Sequence, residues 1–116
     1  MTDRELLEAA ARAANLKWAG GETFNSSVAK LFYVADGSGR WDLWNPLDDD
    51  GDALRLAVRM AARRPFQVRI DDYGADARAE DMPWQACEAH LHGGLEAATR
   101  RAITMAAAAM ELPAPE

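Results

Sequence analysis

The segment Trp44-Asn45-Pro46-Leu47-Asp48-Asp49-Asp50-Gly51-Asp52-Ala53-Leu54-Arg55-Leu56-Ala57 constrains the fold more than any other part of the chain. It joins a turn, an acidic helix start and an amphipathic helix without a break. Pro46 ends the strand before it, because proline has no N–H to give a ladder. One of Asp48, Asp49 and Asp50 caps the helix. The remaining negative charge suits the helix dipole, at ~0.3–1 kcal/mol for each well-placed carboxylate. Leu54, Ala57, Val58 and Ala61 are the expected buried stripe. Arg55, Arg59 and Arg63 recur four residues apart on another face, and Asp52 stands three residues before Arg55, a favourable helical pair. Pro65 stops the helix.

The remaining elements follow by the same rules. Thr2 and Glu5 have capping-box spacing, and Leu6, Leu7, Ala10, Ala13 and Ala14 recur at helical spacing up to Asn15, the expected stop. Gly20-Gly21 cannot continue a helix cheaply, so residues 20–27 are expected as a loop. Val28 to Val34 is the first expected strand, Asp36-Gly37-Ser38-Gly39 a hairpin turn, and Trp41 to Trp44 the returning strand. Phe66, Val68 and Ile70 alternate with Gln67, Arg69 and Asp71, the cleanest strand pattern in the chain. Asp72-Tyr73-Gly74 reads as a turn, and Ala75 to Glu80 as a weak edge strand. No period holds from Asp81 to Gly94. A long helix is expected from Leu95 to Met110, with Ala98, Ala102, Met105, Ala106 and Ala109 suited to close packing on a sheet. The expected fold is α+β: an antiparallel sheet of about four strands in two hairpins, with three helices packed on it in the order α-ββ-α-ββ-α. Residues 1–112 make one domain, and Pro113 to Glu116 a frayed tail.

Composition narrows the function classes. A chain of 116 residues buries roughly two-thirds of its unfolded surface, enough for a core without staples. Cys87 is the sole cysteine, which rules out a disulfide within the chain and fits a reducing, cytoplasmic setting. The longest apolar run, Met105 to Met110, spans six residues, against the ~20 that a membrane span needs. No signal-peptide core follows Met1-Thr2-Asp3-Arg4-Glu5. A net charge of −6 repels a phosphate backbone and disfavours nucleic-acid binding. However, eleven of the thirteen basic residues are arginine and several cluster, so a local basic patch can persist.

Two constellations invite a metal. With Gly51 at position 6 of an EF-hand loop, Asp48 and Asp50 fall at ligand positions 3 and 5. Position 1 is then Pro46 and position 12 Ala57, neither of which can ligate, so helix capping is the better reading. Cys87, His90 and His92 are zinc-type ligands, but zinc wants three or four in tetrahedral geometry and no second cluster exists. A polar loop with a buried cysteine is the simpler account. No nucleophile elbow, phosphate loop or distinctive carboxylate pair stands out. No catalytic residue and no cofactor is assigned. Trp41, Trp44 and Trp84, with Arg55, Arg59 and Arg63, are the candidate partner surface, since exposed tryptophan is a favoured hot-spot residue. Trp18 completes the four tryptophans.

Trp44 to Val58 resembles the WNPLTDDGDALRLAV block of a family of small tailed-phage and prophage proteins. Ala97 to Ala108 is similar to that family's closing AATRRAIVRAAA helix, and Glu5 to Asn15 matches its opening helix more loosely. These motifs cover about a third of the chain, though their order spans all of it. Asp48 stands where the family often has Thr. The resemblance implies an α/β/α sandwich-type domain and no particular activity. The expectation is a non-catalytic accessory protein in the host cytoplasm that binds a host or phage protein, with homo-oligomerisation open. The alternatives are a nucleic-acid-related protein, acting through the arginines or as an acidic DNA mimic, and a small metal-dependent enzyme.

Overall fold

The computed structural model describes residues 2–22, 32–35 and 41–111. Its elements are α1 (Asp3–Ala13), β1 (Lys17–Glu22), β2 (Phe32–Ala35), β3 (Trp41–Trp44), α2 (Asp50–Ala61), β4 (Phe66–Ile70), β5 (Gly74–Ala79), β6 (Gln85–Glu88), α3 (Ala89–His92) and α4 (Leu95–Glu111). The strands form two antiparallel three-stranded sheets, β1-β2-β3 and β4-β5-β6. The α+β class is as expected. The four-strand, three-helix order is not: β1, β6 and α3 are additional. Gly20 and Gly21 lie within β1, where a loop was expected. Residues 23–27, the first half of the expected Val28–Val34 strand, the Asp36–Gly39 turn and the tail fall outside the described residues.

The ends of α1 show how the sequence sets a boundary. At its start, Glu5 N–H donates to Thr2 Oγ1 (3.1 Å) and Thr2 N–H to Glu5 Oε1 (2.9 Å), a complete capping box. At its end, Asn15 takes the left-handed conformation (φ 59°), which asparagine tolerates better than most residues. That turn aims Leu16 N–H at Ala11 O (2.9 Å) and Asn15 N–H at Arg12 O (3.0 Å), a Schellman closure. Ala13 O and Ala14 O are left over, and a helix end needs those groups satisfied. Arg63 Nη1, from the turn after α2, donates to the first, and Arg59 Nε of α2 to the second.

α4 is the central packing element. Ala98, Ala102 and Ala106 meet Ala75, Ala77 and Cys87 of the second sheet. Ile103, Ala107 and Ala108 join the other core, with Leu6, Leu7 and Ala10 of α1 and Leu56 and Met60 of α2. Alanines of α4 meet alanines of β5 in the second core, and one helix serves two cores. Its buried Thr104 hydroxyl donates to Arg100 O (2.8 Å), so the polar atom is satisfied.

Two expectations about packing are corrected. The Ala75–Glu80 segment is no weak edge. It supplies β5, the middle strand, with Ala75, Ala77 and Ala79 buried. Alanine's low β-propensity hid it, and burial under α4 overrides that propensity. The buried stripe of α2 is Ala53, Leu56 and Met60, whereas Leu54 and Val58 are 64% and 62% exposed. Three polar anchors fix the helix's rotation. Asp52 Oδ2 accepts from Asn45 N–H (2.9 Å), and Arg59 and Arg63 grip α1. At about 100° per residue Asp52 and Arg59 lie near Leu56 and away from Leu54 and Val58.

Candidate interaction surface

The acidic cluster resolves into separate architectural jobs. Asp49 is the cap of α2, accepting from Asp52 N–H at 2.8 Å. Asp50 sits in the first turn and pairs with Arg100 Nη1 at 2.6 Å. Arg100 Nε also donates to Leu47 O (3.0 Å), tying α4 to the turn before α2. Asp52 bridges backward to Asn45 N–H and forward to Arg55 (2.8 Å). Asn45 is 2% exposed; its Oδ1 accepts from Leu47 N–H (3.1 Å), and its carbonyl accepts from Asp48 and Asp49 N–H. The motif is therefore an Asx turn feeding a capped helix. Asp48 is exposed.

The arginine patch dissolves in the same way. Arg55 is held by Asp52 and Asp49, and Arg59 and Arg63 close α1. The spacing of four that suggested a shared outward face is real, but those guanidinium groups are occupied within the fold. Trp44 also leaves the candidate surface: it is buried in the helical core, where its ring contributes area rather than contact with a partner. The side chains of Trp18 and Trp41 lie outside the described residues.

Cys87, His90 and His92 do not converge. The Cys87 side chain faces α4, its Sγ 3.5 Å from Met105 Sδ, and burial pushes its thiol pKa up. A protonated, enclosed thiol is a poor nucleophile and a poor ligand. His90 is exposed, with Nε2 3.4 Å from a Glu88 carboxylate oxygen. His92 lines a polar cleft of about 400 Å³ with Asp3, Asp48, Arg100 and Arg101. Across that cleft Arg101 pairs with Asp3 (3.0 Å), joining α4 to α1. Among the described residues no three His, Cys, Asp or Glu side chains gather as a metal site would require.

One surface remains, the face of β4-β5-β6 turned away from α4. The register sets Gln67 opposite Arg78 and Arg69 opposite Asp76. Alternation puts these four on one face and Phe66, Val68, Ile70, Ala75, Ala77 and Ala79 on the other. Gln67, Arg69, Ala86 and Glu88 are exposed there, so helices cover this sheet on one side. The three layers implied by the phage-family resemblance do not form around it in the described residues.

Trp84, just before β6, lies over this face. The Arg69 guanidinium carbon is 3.7 Å from its ring centroid and that of Arg78 4.5 Å. Both arginines are held in place. Arg69 donates from Nε and Nη2 to the two Asp76 carboxylate oxygens (3.0 and 2.6 Å), and Arg78 Nε to Gln67 Oε1 (2.7 Å). The two-bond fork on Asp76 orients the Arg69 guanidinium plane for stacking, and these bonds lower the Asp76 pKa. Trp84 was among the candidates read from the sequence and Arg69 figured there only as one of the clustered arginines; Arg78, Gln67 and Asp76 did not figure. Arg69 and Gln67 were legible as the outward side of an alternating strand. Their partners sit on β5, whose role the sequence concealed.

Comparison with known proteins adds no relative: no family model matches the chain, and neither a curated protein nor a solved structure is significantly similar to it.

Proposed function

We propose that the chain is a non-catalytic phage or prophage accessory protein that binds another protein through the open face of β4-β5-β6. The observation that carries this reading is Trp84, partly buried and stacked with Arg69 and Arg78, which hydrogen-bond to Asp76 and Gln67. Tryptophan and arginine are the residues most enriched at protein–protein hot spots. A partner would meet side chains already ordered, which reduces the entropy lost on docking. The phage assignment rests on the resemblance of Trp44–Val58 and Ala97–Ala108. The metal-enzyme alternative loses support from the separation of Cys87, His90 and His92.

A nucleic-acid reading keeps one supporting observation, because arginine beside an aromatic ring also suits base stacking. The two are separable. Immobilised protein and its Trp84→Ala and Arg78→Ala variants are incubated with lysate of infected host cells and, separately, with single-stranded oligonucleotides at low salt. Protein binding predicts a discrete protein retained by wild type. Trp84→Ala lowers its affinity at least ~30-fold, equivalent to ~2 kcal/mol, without loss of helix signal. Equal retention by all three proteins refutes the reading. Oligonucleotide binding that weakens steeply with salt replaces it with the alternative.

A further inference from the structure

We infer that β4 is a self-association edge, through which two copies join their second sheets across a two-fold axis at Val68. This is independent of what the Trp84 face binds. Glu80 N–H donates to Pro65 O (2.8 Å) and Asp71 N–H to Gly74 O (2.9 Å). In an antiparallel ladder, a residue's N–H and C=O point to the same side, and the side alternates along the strand. Residues 65, 67, 69 and 71 therefore face β5, while Phe66, Val68 and Ile70 turn their backbone groups outward. β4 ends its sheet, and no described strand meets that outer edge.

The outward set is self-complementary. A second antiparallel β4 centred on Val68 sets Val68 against Val68 of the partner subunit and Phe66 against Ile70 of the partner subunit. Each opposed pair exchanges two hydrogen bonds. The same register places apolar side chains beside one another on the α4 side, where Val68 is 37% and Ile70 56% exposed. On the open face it sets Gln67 against Arg69 of the partner subunit. Charge does not oppose the pairing, because Asp76 neutralises Arg69 within each copy. Natural edge strands are usually protected by proline, a bulge or an unpaired lysine, and Phe66–Ile70 has none of these. A five-residue seam lies at the small end of specific interfaces, so the dimer should be weak, with Kd on the order of 100 μM.

The test is sedimentation equilibrium of the full chain from micromolar to millimolar concentration. The expected result is an average mass rising from 12.7 kDa toward twice that value. Val68→Lys places like charges on the axis and should hold the protein at monomer mass. Val68→Pro removes only an outward N–H and should do the same while keeping the β4–β5 bonds. Tyr73→Lys, outside the strand, should leave association unchanged. A monomer at every concentration, or a Val68→Lys protein that associates like wild type, overturns the inference.

Discussion

Removing the aspartates around Gly51 one at a time tests whether their charge is architectural. Asp48, Asp49 and Asp52 share one chemistry within a few residues, so local charge alone predicts similar effects for all three. The structure ranks them. Asp49→Ala removes a side-chain cap on Asp52 N–H, a loss of about 1 kcal/mol. Asp52→Ala removes the acceptor for Asn45 N–H on a residue that is 2% exposed. An unsatisfied buried donor costs roughly 1–3 kcal/mol, and the Arg55 pair goes with it, adding at most a few tenths. Asp48→Ala falls on an exposed side chain and should stay within ~0.5 kcal/mol of wild type. Asp52→Asn keeps an acceptor oxygen and should lose less than Asp52→Ala. Urea denaturation reads the series: midpoints should fall in the order Asp48, Asp49, Asp52 with a constant slope. In thermal melts each kilocalorie corresponds to roughly 4 °C. Three equal losses would refute the reasoning. So would a gain in all three variants, or a wild-type midpoint that rises on adding calcium, since mutual repulsion or a bound ion would then govern the segment.

Three further outcomes follow from the second sheet and the capped helix. A Cβ on Gly74 would stand 2.1 Å from Cys87 O, a backbone atom that cannot swing aside; Gly74→Ala should therefore lower stability by about 3 kcal/mol or more, visible as a lowered melting temperature. Buried Cys87, with its thiol pKa raised, should react slowly with iodoacetamide at neutral pH and rapidly in urea; equal rates in both would contradict its placement beside Met105. Asp76 and Glu5 have pKa values lowered in the folded chain, by the Arg69 bonds and by Thr2 respectively. Their contribution is full above the ordinary values of 3.8 and 4.5 and is lost as pH falls through the folded ones. Urea midpoints should thus decline on acidification across and below that window, and Asp76→Asn should flatten the decline.

Local rules in the sequence were legible wherever one residue acts on the next few. Thr2 with Glu5, Asn15 as a stop, the aspartate cap and the Phe66–Ile70 alternation all work within a turn or a strand. Longer-range arrangements were not. The face that α2 buries depends on a carbonyl pair at the end of α1, more than forty residues away, so helical periodicity chose Leu54 and Val58 over Leu56 and Met60. β5 reads as a weak strand because Ala75, Ala77 and Ala79 gain stability only under the alanines of α4. The Trp84 surface was half visible. Tryptophan flagged itself, but the arginines that orient it come from strands whose pairing no local pattern encodes. Conversely, the regular spacing of Arg55, Arg59 and Arg63 looked functional because a sequence shows charge without showing which charges are already taken.

The guanidinium bonds from Arg59 and Arg63 to Ala14 O and Ala13 O have a topological effect. They close a stretch of chain between residues 14 and 59 that contains β1, β2 and β3. Lengthening a tethered excursion of this kind is cheap, because each doubling of loop length adds only about 0.6 kcal/mol of closure entropy. A foreign peptide grafted between β2 and β3 should therefore be carried without unfolding the body, provided Trp44 keeps its seat in the core.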